Sequence, residues 1–248
     1  VYGKKPLLGV IGAVPPHLLS GDEAAYKMAD LSLDVGLPLH KVKELVSIGD
    51  FVSFDPVKPI RLKNGMISSK TLDDRALVAV MLECMEALNK RKLDCTVIFC
   101  ASVQEESKSI GAITGAYGVR PDMAIALDVT HGKSPGTEPF DTFDMEKVAI
   151  AKGGNIHPKL YDMLMRAADA ANIPAVTDVC MGPTGTDAWH MQISHGGVPT
   201  AVVSVPVRYM HTTVETLSEK TLHSCAGVIT QFAADINPGW EEALCLND

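Results

Sequence analysis

The sequence predicts an α/β protein, with a mostly parallel sheet sandwiched between helices over residues 67–248 and a small β-rich module over 1–66. Three observations carry this prediction. From Leu72 onward, short β-branched runs alternate with segments of helical period. The run 95–103, Cys-Thr-Val-Ile-Phe-Cys-Ala-Ser-Val, is apolar almost throughout, as a strand buried on both faces should be. Residues 1 to about 66 hold short strands and turns with little helix.

Each element follows from its own pattern. In the module, 7–14 reads as a strand stopped by Pro15-Pro16, 31–35 alternates as a strand, 41–46 forms a short helix and 51–54 a further strand. The segment 72–88 consists of good helix formers, apolar on most sides after Arg75 and therefore expected to be buried. The strand 95–103, a helix near 110–117 and a strand 123–129 come next, followed by a polar loop through Asp144. A strand 147–151, a helix 158–171 and a strand 175–180 lead to a Gly-rich turn entering a helix near 186–194. A strand 200–205 and a last helix over about 218–235, capped by Ser218, complete the chain.

Composition narrows the function. The 248 residues, 46% hydrophobic and 21% charged, suffice for a sizeable core. A net charge of -8 without a basic run argues against nucleic acid or an anionic membrane as partner. No apolar stretch is long enough to cross a bilayer, and Val1-Tyr-Gly-Lys-Lys-Pro lacks the apolar region of a leader peptide. Six cysteines (84, 95, 100, 180, 225 and 245) form no Cys-x-x-Cys pair and predict reduced thiols in a cytoplasmic protein.

The chemistry-bearing residues gather at element ends. The chain leaves 95–103 through Gln104, Glu105 and Glu106, and ligand sites of open α/β sheets collect at such carboxyl ends. On an extended chain the two glutamates point to opposite sides, so one suits a cation and the other a reacting water. Asp73 and Asp74 open the helix 72–88, where capping alone would account for them. Asp128 ends the strand 123–129, and His211 follows the apolar run 202–207. Carboxylates and an imidazole set among apolar flanks make a divalent-metal ligand set, with zinc a natural occupant. His17, His40, His157 and His223 are expected to take no catalytic part, while His131, His190 and His195 are candidate outer partners. Gly132-Lys-Ser-Pro-Gly136 matches the nucleophile elbow of α/β hydrolases, but 137–144 makes a poor helix and the match reads as coincidence. Gly182-Pro-Thr-Gly185 lacks the spacing and lysine of a phosphate loop.

Several segments resemble the tetrahedral or glutamyl metallo-aminopeptidases of the M42 family, some of which carry the name endoglucanase M. They are Gly9-Val-Ile-Gly-Ala-Val-Pro-Pro-His-Leu-Leu19, Ser69-Lys-Thr-Leu-Asp-Asp-Arg75, Val103-Gln-Glu-Glu106, Ala126-Leu-Asp-Val-Thr-His131, Gly185-Thr-Asp-Ala188 and Val205-Pro-Val-Arg-Tyr-Met-His-Thr212. They run in family order over essentially the whole chain. The resemblance implies a three-layer α/β/α zinc-exopeptidase sandwich with a partial PDZ-like β domain at its N-terminal end, used for oligomerisation. It implies two divalent metal ions, zinc first with cobalt or manganese as alternatives, bridged by Asp73, whose bond to Asp74 is cis. Glu106 and His211 would complete one metal site and Asp128 would contribute to the other. Glu105, with Asp74 beside it as the second catalytic residue, would be the general base. The partners implied are peptide substrates and further copies of the chain, a dimer building up to a dodecamer.

The sequence also departs from the family. The first metal ligand there is the histidine of an Ala-His-x-Asp-Glu motif, absent from this chain and expected upstream of Val1, together with the opening strands of the sheet. Lys108 stands where a glycine is usual, and Trp189-His190 replaces smaller residues. The sequence thus points to an aminopeptidase acting on short peptides. The alternatives are an inactive or truncated homologue binding at most one metal, and a glycoside hydrolase, which needs two carboxyls flanking a sugar and no metal-ligand histidine.

Overall fold

The computed structural model describes residues 1–15, 26–55, 58–138 and 141–246. His17, the Pro16 stop and the 16–19 end of the first matched segment lie outside them. The chain divides into two compact units, Val1–Val57 and Lys58–Asp248.

In the first unit, β1 (Val10–Ala13) pairs antiparallel with β2 (Leu31–Asp34), Val10 opposite Asp34, and α1 (Leu39–Leu45) follows. The expected strand at 51–54 does not form, because its only ladder-like bond is from Tyr2 N–H to the Phe51 carbonyl, at 2.8 Å. No described residue of this unit is buried.

The second unit is built on one sheet. Its strands are β3 (Ile60–Arg61), β4 (Met66–Ser69), β5 (Ala124–His131), β6 (Val148–Gly153), β7 (Ala175–Cys180), β8 (Thr200–Arg208) and β9 (Glu215–Ser218). The sheet is mixed rather than mostly parallel. β5 runs parallel to β8 and β6 parallel to β7, whereas β6–β8, β8–β9, β9–β4 and β4–β3 are antiparallel. The antiparallel flank escapes a sequence reading because β4 and β9 are four residues each, with two polar residues in β4 and three in β9. β5 pairs along one edge of β8, leaving β6 and β9 to divide the other.

Every residue of β8 from Thr200 to Val207 is buried, without alternation, so the sheet is covered on both faces. The helices α2 (Leu72–Leu88), α5 (Pro158–Ala170) and α7 (Glu219–Asp235) pack together as one layer, and α6 (Ala188–Met191), with α4 (Ile110–Val119) against it, contacts β5 and β8. The core lies between them: Leu77, Val80 and Cys84 of α2, Leu160 and Leu164 of α5 and Val228 of α7 meet Ile150, Val203 and Val205 of the sheet. Ser218 caps α7 as predicted, accepting from Thr221 N–H at 3.4 Å.

Three predicted elements differ. α2 is amphipathic instead of buried all round. Ala76, Leu77, Val80, Cys84 and Leu88 face the core, and Leu82 and Met85 face outward. The helix expected near 186–194 is one turn only. The run 95–103 is not a central strand, for no described strand lies beside it to complete a ladder. Cys95 and Phe99 still pack on the core, Cys95 Sγ reaches the Ala233 carbonyl, and Gly111 N–H donates to the Val103 carbonyl at 2.8 Å.

Candidate metal centre

Three chain segments converge at one end of this sheet, and each arrives through backbone in the left-handed region. Thr71 (φ 56°) precedes Asp73, Gln104 (φ 60°) precedes Glu105, and Tyr209 (φ 58°) precedes His211, itself at φ 60°. Non-glycine residues rarely adopt this conformation.

Asp73 and Asp74 lie in the first turn of α2, but their backbone is not helical (ψ 109° and 25°) and the peptide between them is cis. They are therefore not capping residues. Glu105 and Glu106 begin α3 (Glu105–Lys108), so the chain is turning there instead of extended. Successive helical side chains diverge by about 100°, so the two glutamates separate without facing opposite ways. Asp128 lies within β5 instead of at its end, 8% exposed, its Oδ1 accepting from Val129 N–H at 2.7 Å.

The structure brings Asp73, Glu106 and His211 together. One ligand atom from each lies within 4.8 Å of the others. His211 Nε2 is 3.1 Å from Asp73 Oδ2 and 3.4 Å from Glu106 Oε2. A tetrahedral zinc site with bonds of about 2.0–2.2 Å sets neighbouring ligand atoms about 3.3–3.6 Å apart, so two edges of such a site are already near their required length. The donor set, two carboxylates and an imidazole, fits a divalent ion.

The electrostatics favour positive charge here. Burial, then the charges of Glu106 and Glu215, push Asp73 up to about 6, against the opposing pull of His211. Asp74 rises to about 7 through burial and the neighbouring Asp73, Glu105 and Asp187. Glu105 rises to about 7 through burial, Asp187, Glu106 and Asp73. Asp128 rises to about 8, mostly by burial, with Asp74, Glu105 and Asp73 adding to it and the Val129 N–H opposing. Burial first, and neighbouring acids second, thus disfavour the ionised form at all four positions, and a cation held by Asp73, Glu106 and His211 would offset that cost where it binds.

Two acids at this centre were not singled out from the sequence. Glu215 is 2% exposed and accepts from the backbone N–H of Asp73 (3.0 Å) and of His211 (2.9 Å). Asp187 accepts from Ser102 Oγ at 2.5 Å and raises both Asp74 and Glu105. The available signals were an acid four residues after His211 and an acid following a Gly-rich turn. The remaining described histidines stand apart from the ligand triad. His195 stacks on Tyr117 and bonds its carbonyl, His223 pairs with Glu83, and His131 acts on Asp178. Ser134 sits in a turn closed by Thr137 and enters no helix.

The model of the M42 glutamyl aminopeptidase family matches residues 1–228. A lysyl aminopeptidase of Pyrococcus furiosus is 32% identical over 236 residues, 93% of this chain and 67% of that protein. A glutamyl aminopeptidase of Lactococcus lactis is 28% identical over 82% of this chain and 58% of its own length. Among solved structures, the aminopeptidase APDkam598 of the archaeon Desulfurococcus kamchatkensis superposes with a TM-score of 0.86 at 33% identity, covering 97% of this chain and 69% of that one. The TET1 peptidase of Pyrococcus horikoshii, which can assemble into a tetrahedron or a large octahedral shell, gives 0.78 at 31% identity over 93% and 69%. The chain thus spans between 58% and 69% of the length of these relatives.

Proposed function

This chain belongs to the M42 glutamyl aminopeptidase family, and from that premise we propose that it is a dinuclear-metal aminopeptidase removing N-terminal residues from short peptides. The observation that carries the reading is the convergence of Asp73, Glu106 and His211 on one point. In this reading these three would hold one divalent ion, zinc first, and Asp73 and Asp128 would help to hold a second.

Bound there, divalent ions polarise the scissile carbonyl and make water a stronger acid. Glu105 accepts the proton of the attacking water on its carboxylate and returns it to the departing amine. Asp74, adjacent to Asp73, would place a further carboxylate beside the ions. The Ser102 hydroxyl and Asp187 steady the segment that carries Glu105.

Self-association belongs to the same proposal, with the module 1–66 as a PDZ-like oligomerisation domain. In the unit Val1–Val57, Leu8, Val10, Met28, Ile48 and Phe51 are all more than two thirds exposed, and apolar side chains displayed in that number suit a covering partner. Assembly of the horikoshii relative into closed shells supports a homo-oligomer, built from dimers toward a dodecamer. All six cysteines are unpaired, which suits the reducing cytoplasm. Among the described residues no helix is long and apolar enough to cross a membrane.

The test couples metal analysis to hydrolysis. The purified chain, loaded with zinc or cobalt, is assayed on aminoacyl p-nitroanilides and on short peptides with free or acetylated N-termini. Release of the first residue that stops on acetylation and on chelation is the expected result. A chain that binds no divalent metal and releases nothing would overturn the proposal, and metal-independent cleavage of cellulose would replace it with glycoside hydrolysis.

A further inference from the structure

The geometry points to Glu215 as the residue that positions the metal ligands Asp73 and His211, acting through their backbone and not through the ion. This inference rests on the metal-centre reading. The two ligands are 138 positions apart in sequence, on separate segments entering from β4 and β8. Each segment ends in left-handed backbone, and each would leave an amide N–H without a helical or sheet partner. One carboxylate collects both. Its Oε2 accepts from Asp73 N–H at 3.0 Å and its Oε1 from His211 N–H at 2.9 Å.

Three features make this more than a surface contact. Glu215 is 2% exposed, and a buried carboxylate holds charge-assisted hydrogen bonds without competition from water. It stands on β9, paired on one side with β4 (Glu215 opposite Ser69) and on the other, through Leu217 and Thr216, with β8. The strand carrying the clamp is therefore laced to the two strands that deliver the ligands. The loop 209–214 also closes on itself, since its His211 N–H is tied to the residue that ends the loop. The backbone of both ligands is thereby fixed on one carboxylate, and their side chains stand 3.1 Å apart at Oδ2 and Nε2. The ion's binding energy is then not consumed in ordering the segments.

Glu215→Gln tests this with near-identical shape. The amide offers one acceptor, so one of the two N–H groups meets another donor. Glu215→Asp, too short to reach both, is measured alongside, and Ser218→Ala on the same strand serves as a control that touches neither amide. Each protein, freed of metal, is titrated with Co²⁺ while the d–d spectrum is recorded. Both Glu215 variants should bind about 10- to 100-fold more weakly, as supporting partners of metal ligands typically do, with an altered spectrum. Ser218→Ala should match the wild type in both respects. In the metal-free wild type the amides of Asp73 and His211 should exchange slowly with solvent. Unchanged affinity and spectrum in the Glu215 variants, an equal loss in Ser218→Ala, or fast exchange of those two amides would each overturn the inference. Absence of Co²⁺ binding by the wild type would instead sink the metal-centre reading itself.

Discussion

Glu105 and His211 divide the labour of the proposed centre, so their loss should look different. Glu105→Gln should retain the metal while kcat falls by about 10²- to 10⁴-fold, the usual contribution of a positioned acid–base group. His211→Ala should lose the ion from its site, seen as reduced bound zinc by elemental analysis. The raised pKa values give a pH prediction of definite sign. Asp73 at about 6, Asp74 and Glu105 at about 7 and Asp128 at about 8 all exceed the ordinary carboxylate range near 4. Between those limits the folded chain binds more protons than the unfolded one, so its stability falls as pH rises from about 4 to about 8. The metal-free protein should therefore melt higher at pH 5 than at pH 8. With saturating zinc the order should reverse, since the ion binds the deprotonated acids. Calorimetry at the two pH values, with chelator and with zinc, checks both halves. Asp73, Glu106 and His211, which the structure brings together, stood out in the sequence as acids and an imidazole set against apolar flanks. Glu215 did not, since its part depends on which two amides the folded backbone brings to it.

Among the elements, the helices were read more surely than the strands. α7 spans what its period and its Ser218 cap predict, because both signals are local. The strand expected at 95–103 had the right residues and, among the described residues, no neighbour to pair with, and a ladder is a property of two segments. β9 passed unnoticed for the opposite reason: Glu-Thr-Leu-Ser has a weak pattern, and its burial comes from β4 and β8 on either side. Two substitutions test how the layers are held. Leu164→Ala, in the fully buried stripe of α5, should destabilise the second unit by about 2–5 kcal/mol in urea unfolding. Removing the α7 cap with Ser218→Ala should cost about 1 kcal/mol.

For the molecule as a whole, the contrast between the two units governs behaviour. Lys58–Asp248 has a continuous core, while Val1–Val57 has no buried described residue and displays Ile48 and Phe51 to solvent. Charging those two side chains, as in Ile48→Asp with Phe51→Asp, should lower the assembled mass in sedimentation and leave the Co²⁺ spectrum of the intact chain unaltered. An unchanged mass would show that other surfaces hold the copies together. The left-handed residues around the centre bear on how such a sequence can drift. Thr71, Gln104 and Tyr209 each sit where glycine or asparagine would relieve roughly 1 kcal/mol of strain. A population selected only for heat resistance should accumulate those relieving replacements and lose its metal. A population selected on peptide hydrolysis should keep the strained residues and gather its stabilising changes elsewhere, so comparing the two lineages would map which backbone positions activity protects.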